Sequence, residues 1–154
     1  MPKRCCPEFG RCDDWPHGIA DNDTLRKYLD MMQSDARGFL GGSLPEMFHT
    51  APDDATIEQL LDDICRAEAN TATLILADQT VQDHRADIPD YQVPHLLVWG
   101  SDEKVVKLAS ADWLSVQLTD CEVHVFETGG HCPMWEEPDS FNALVRTWVA
   151  RLTT

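Results

Sequence analysis

Two short apolar runs, separated by a segment of helical periodicity, constrain this chain more than any other feature. Val93 to Trp99 reads VPHLLVW and Glu122 to Glu127 reads EVHVFE. Between them Leu108, Ala111, Leu114 and Leu118 fall at helical spacing, and beyond them Phe141, Leu144, Val145, Trp148, Val149 and Leu152 make the most regular helical pattern in the chain. The order is strand, helix, strand, helix. Residues 100–121 are enough for a right-handed crossover, so the two strands are predicted to pair in parallel. The unbroken first run suits a strand buried on both faces, with Pro94 tolerated near its start.

Upstream of residue 88 the apolar pattern has a helical period instead. Leu25, Tyr28, Leu29 and Met32 follow Asn22 and Asp23 as caps, and Ile57, Leu60, Leu61 and Ile64 repeat the spacing behind a Thr56-x-x-Gln59 capping box. A third helix is predicted over 67–81 from Leu74, Ile75 and Val81. Gly38, Gly41, Gly42, Pro45 and Pro52 punctuate the connections. The expected organisation is a helical region over 1–90, each helix with one apolar stripe that must be buried against another layer, followed by an α/β segment over 91–154.

The chain holds 12 Lys and Arg against 27 Asp and Glu, a formal charge of -15. Such a surface repels phosphate backbones and anionic headgroups, so neither nucleic acid nor membrane is an expected partner. Met1 to Pro7 is basic but leads into Glu8, Gly10 and Asp13 instead of an apolar stretch, which does not fit a secretory signal, and the expected location is the cytoplasm. Six cysteines in 154 residues are too few for a disulfide scaffold. Cys5, Cys6 and Cys12 lack the paired spacing of a zinc site, His17, His49, His84 and His95 share no metal spacing, and no metal is expected. Asp53, Asp54, Asp62 and Asp63 read as a solvated helix face.

Two loops leave the carboxyl ends of the strands, where open parallel sheets gather active groups. One is Gly100-Ser-Asp-Glu-Lys104; the other is Thr128 to Pro138, TGGHCPMWEEP, which sets His131 on a Gly-Gly turn. Neighbouring parallel strands lie roughly 5 Å apart, so a carboxylate from the first loop can reach an imidazole on the second and fix its tautomer. Without further context His131 reads first as a turn histidine bonded within its own loop, and Asp102 and Glu103 equally as a solvated turn that caps the next helix. Trp99, Met134 and Trp135 read as core at strand ends, with an acyl-pocket lining as the alternative. His124, between Val123 and Val125, reads as an ordinary strand position, and Cys132, adjacent to His131, points away from it and is a poor thiolate nucleophile.

VPHLLVWGSDEKVV, a helix, a strand and then FETGGHCPMWEEPDSFNALVRTWV resemble the C-terminal part of an α/β hydrolase over residues 92–152, with His131, Pro133, Glu136 and Pro138 at the spacing of the family's end motif. More loosely, DDWPHGIAD and the helices up to ADQTVQDHR resemble the helical cap that many members carry before the penultimate strand. The resemblance implies an α/β class, a partial α/β-hydrolase fold of mostly helical cap followed by a βαβα segment with a short parallel sheet. It places His131 in the position of the catalytic histidine and Glu103 in that of the triad acid, with Asp102 a competing candidate one step earlier.

In the family the nucleophile precedes the cap on a G-x-S-x-G elbow. None of Ser34, Ser43, Ser101, Ser110, Ser115 or Ser140 stands in such a motif, and the chain supplies two strands of a sheet that has about eight in the family. The expectation is therefore a fragment of a hydrolase for an ester, lactone or related acyl compound, needing no cofactor, whose nucleophile comes from a complementing N-terminal segment. The competing expectation is a non-catalytic remnant, a binding module held by self-association through the strand at 93–99. Thiol redox chemistry is disfavoured by the absence of C-x-x-C.

Overall fold

A computed structural model describes residues 22–81 and 84–152. Expectations for Met1 to Asp21, including the Cys5, Cys6 and Cys12 cluster, His17 and the DDWPHGIAD match, lie outside the described residues. The chain divides into two units, one of residues 1–45 with 52–85 and one of residues 46–51 with 86–154.

The first unit is helical. Helix α1 spans Asn22–Ser43, α2 spans Asp54–Ile64 and α3 spans Ala69–Val81, and α1 packs on both of the others. Met32, Leu44, Ile57 and Leu61 are its buried apolar residues. Arg37 on α1 reaches Glu58 at 2.6 Å and Asp62 at 2.9 Å on α2.

Three details depart from the sequence pattern. Helix α1 breaks at Asp35 (φ -152°, ψ 76°), not at the glycines, because the Asp35 carboxylate accepts the Gly38 N–H at 2.9 Å and so starts a new helical segment. A Cβ on Gly38 would collide with that carboxylate, which is why a glycine follows three residues behind the cap. The cap of α2 is Asp53, whose side chain accepts the Thr56 N–H at 2.7 Å; Thr56 lies inside the helix and is not the cap. In α3, Leu74 and Ile75 are 70% and 56% exposed, so they are not the packing stripe. The partly buried positions are Ala69, Ala72, Thr73, Leu76 and Ala77, at i, i+3, i+4, i+7 and i+8. Small residues let α1 and α3 approach closely, and a pattern search keyed to large side chains passes over them.

The second unit carries the predicted parallel pair. Strand β1 (His95–Gly100) lies beside β2 (Cys121–Phe126) with His95 opposite Cys121 and Gly100 opposite Phe126. Helix α4 (Ala109–Gln117) provides the crossover and packs on both strands. A one-turn helix α5 (Pro133–Glu136) and the long α6 (Pro138–Leu152) follow. Val93 and Pro94 stay outside the sheet: Pro94 has no N–H, and pairing begins when the His95 N–H donates to the Asp120 carbonyl at 2.8 Å. The expectation that β1 is buried on both faces is not met. His95 to Trp99 are only half-buried, since the sheet among the described residues has two strands and shields each face incompletely. Phe48, Ala111, Leu118 and Phe126 form the buried core, and Phe126 stacks on Phe141 of α6 with ring centroids 6.4 Å apart. His124 is an ordinary strand residue, edge-on to Phe126 at 4.7 Å. Among the described residues no helix is long and apolar enough to cross a membrane.

Candidate active site

The parallel register brings Gly100 and Phe126 side by side, so the two loops start from one end of the sheet. Backbone bonds then hold them together: Ser101 N–H donates to Phe126 O at 2.8 Å and Asp102 N–H to Gly129 O at 3.0 Å. Gly100 is required at this crossing, because a Cβ there would overlap the carbonyl oxygens of Gly129 and Gly130.

On this frame the His131 Nδ1 lies 2.7 Å from Glu103 Oε2. The Glu103 side chain is 6% exposed and His131 36%. The other Glu103 oxygen, Oε1, accepts the N–H groups of Val105 at 2.6 Å and Val106 at 3.1 Å. Trp99 braces the same loop by donating its indole N–H to Val106 O at 3.2 Å. The carboxylate is therefore fixed by its own turn before it meets the histidine. It is a buried turn residue and not a solvated helix cap, since the residue capping α4 is Leu108.

Of the two competing acids the geometry separates one. Asp102 pairs with His49 Nδ1 at 3.4 Å and Lys104 Nζ at 3.3 Å. The glutamate, with its extra methylene, spans the gap to His131. The imidazole bonds across loops and not within its own. A carboxylate only accepts, so Nδ1 carries the proton in the neutral ring and Nε2 keeps its lone pair, the form needed to take a proton from a reacting group.

Cys132, next in the chain, is held protonated. Burial pushes its thiol pKa up, and the negative charges of Glu136 and Glu103 push it the same way, against a thiolate nucleophile. Met134 and Trp135 are 47% and 56% exposed, so neither is core in this unit. Their chain segment is the one-turn helix α5, too short to show any periodicity in the sequence.

The partners of the His131 turn leave no trace in the pattern of side chains. Residues 47–49 lie against it: His131 N–H donates to Met47 O at 2.7 Å. Glu136 accepts the Gly130 N–H on Oε2 at 2.7 Å and the His49 N–H on Oε1 at 2.6 Å. Both partners of Glu136 are backbone groups, which leave no mark on side-chain pattern; the only available signal was its place in the motif of His131, Pro133 and Pro138.

The α/β hydrolase family model matches residues 6–144. A pimeloyl-(acyl-carrier protein) methyl ester esterase from Nitrosomonas europaea is 27% identical over 139 residues, covering 88% of this chain and 55% of that protein. A 2-hydroxy-6-oxononadienedioate/2-hydroxy-6-oxononatrienedioate hydrolase from a Pseudomonas species is 36% identical over 64 residues, 42% of this chain and 23% of that protein. Among solved structures, an esterase from Exiguobacterium antarcticum matches with a TM-score of 0.83 at 20% identity, covering 94% of this chain and 53% of its own. The chain thus spans about half the length of the proteins it matches along most of its own length. With a matching family model over nearly all of its residues and the fold to go with it, this chain belongs to the α/β hydrolase family.

Proposed function

We propose that this chain supplies the general base and its orienting acid to a hydrolase acting on an ester, lactone or related acyl compound. His131 is the base and Glu103 its orienter; Asp102, paired with His49 and Lys104, is assigned no part in the chemistry. The observation that carries the reading is the 2.7 Å contact from His131 Nδ1 to a Glu103 carboxylate that is 6% exposed. In this scheme Nε2 takes the proton of an attacking nucleophile as it adds to the acyl carbon. It returns that proton to the leaving group as the bond breaks, then repeats the cycle with water. The steps need no cofactor.

The nucleophile is assigned to a segment outside these 154 residues. The absence of G-x-S-x-G from them supports this, as does the coverage of only about half of the matched relatives. Residues 1–90 are read as cap-like and 91–154 as the C-terminal part of the hydrolase core, working in the cytoplasm on a small-molecule substrate and completed by a nucleophile-bearing N-terminal segment.

The test joins the chain to such a segment from a matched esterase, in cis or by co-expression, and follows nitrophenyl ester cleavage. The joined protein is expected to turn over and to lose that activity on His131→Ala, while the 154 residues alone stay unlabelled by a fluorophosphonate. Unchanged turnover in the His131 variant would remove its assigned role. Ester cleavage by the 154 residues alone, with labelling, would place the nucleophile among them.

A further inference from the structure

We infer that Glu136 is the positioning residue of the site, a carboxylate clamp that sets the backbone from which His131 reaches Glu103. The inference rests on the proposed role of His131 and extends it to a residue that touches neither the imidazole nor its acid.

Two amide N–H groups from segments 81 residues apart in sequence, His49 and Gly130, converge on one side chain, each with its own oxygen, at 2.6 and 2.7 Å. Charge-assisted bonds of this length are among the stronger polar contacts in proteins. Between those two anchors the His131 N–H donates to Met47 O at 2.7 Å, so both peptide units flanking Gly130 are tied to the 47–49 segment, one through Glu136 and one directly. Gly130 is buried there. A Cβ on it would lie 2.6 Å from His49 N and 2.7 Å from Met47 O, which shows how flush the two segments lie.

On the opposite side Gly129 O holds the Asp102 N–H of the acid loop at 3.0 Å. The turn is thus pinned between the loop carrying Glu103 and the segment held by Glu136. The chain also supplies its clamp economically: α5 begins at Pro133 and spans one turn, which returns Glu136 to the level of Gly130.

Only a carboxylate can do this. A glutamine in the same place has one acceptor oxygen, and its NH2 group would face the second backbone N–H, leaving that donor without an acceptor. An aspartate keeps the charge but is one methylene too short to reach both amides.

The experiment uses the 154-residue chain and NMR. Long-range 15N correlation reads the His131 tautomer, and hydrogen exchange reads the amides of Gly130 and His49. Glu136→Gln is expected to speed exchange at Gly130 and His49 by at least tenfold. It should also shift His131 from a single Nδ1–H form toward a mixture of tautomers, with α6 amides such as Leu144 and Val145 unchanged. Glu136→Asp should release only one of the two amides, and it stands in if the glutamine variant does not fold. In the joined hydrolase Glu136→Gln should lower kcat about a hundredfold, the effect of a misplacement of about 1 Å, with KM little changed. Normal tautomer and exchange in both variants would overturn the clamp while leaving the His131–Glu103 reading intact. An unaltered chain without the Nδ1–H tautomer would overturn both.

Discussion

Replacing Glu103 by glutamine should disable the site through the tautomer of His131, not through any loss of shape. The amide has two ways to sit. With its oxygen toward the loop it keeps the N–H bonds from Val105 at 2.6 Å and Val106 at 3.1 Å and turns its NH2 toward His131. Reversed, it would aim that NH2 at two backbone donors in a pocket where the side chain is 6% exposed. Two bonds against one decide for the first arrangement. The NH2 group can then only donate to Nδ1, so the ring proton moves to Nε2 and the base nitrogen is blocked.

Two effects add. A hydrogen bond to a charged group contributes about 1.5–3 kcal/mol net, and losing it from the imidazolium that forms in the transition state costs roughly 10- to 150-fold. The wrong tautomer carries the loss further, toward the ~10⁴ drop in kcat known when a triad acid becomes an amide. We therefore expect kcat for nitrophenyl esters in the joined hydrolase to fall between about 10² and 10⁴, with KM nearly unchanged because Glu103 faces His131 and its own turn. On the 154 residues alone, 15N shifts of His131 should show the proton transferred from Nδ1 to Nε2. Asp102→Asn, tested alongside, should change turnover by no more than about threefold, given its bonds to His49 and Lys104. An unaltered tautomer in the Glu103 variant, or a larger loss from Asp102→Asn than from Glu103→Gln, would refute the reasoning.

Two further outcomes follow from the packing and charge around the same turn. Gly130→Ala should destabilise the chain by about 1–3 kcal/mol, since the new methyl meets backbone atoms of 47–49 that have no rotamer to give way; a urea midpoint unchanged from the parent would contradict this. Cys132 should be alkylated by iodoacetamide with a pH midpoint above that of the same cysteine in the denatured chain, followed peptide by peptide by mass spectrometry. Burial, Glu136 and Glu103 all raise its pKa, so the reactive thiolate appears only as pH climbs past the ordinary thiol range. A midpoint below the denatured value would return Cys132 to the list of nucleophiles.

What the sequence revealed and what it hid divide along a physical line. Large side chains at regular spacing were legible: the β1–β2 parallel pair, the crossover helix α4 and α6 all follow from periods of 2 and 3.6 in apolar residues. Contacts made by small residues or by backbone were not. The face of α3 that packs is marked by Ala69, Ala72 and Ala77, while the conspicuous Leu74 and Ile75 stand exposed. The break in α1 falls at Asp35, three residues ahead of the first of the glycines that punctuate the sequence, and is made by the Asp35 side chain accepting the Gly38 backbone N–H.

The site obeys the same division, and this bears on how it works. Loop position showed that a carboxylate of one loop could reach an imidazole of the other, because both loops had to leave the same end of a parallel pair, and the resemblance to α/β hydrolases named His131 and narrowed its partner to Glu103 or Asp102. Choosing between the acids took one methylene of reach and two backbone N–H groups, at Val105 and Val106, that pre-orient Glu103. Likewise the backbone around His131 is set by amides and carbonyls of Met47, His49, Gly129 and Gly130, with Glu136 as the one side chain that ties them. A proton-transfer pair must be held to within a few tenths of an ångström, and backbone groups, having no rotamers, hold it better than side chains can. Substitutions at Gly100, Gly130 or Glu136 should therefore disturb the His131 tautomer, read from its 15N shifts, more than substitutions of Asp102, whose side chain pairs with His49 and Lys104 instead.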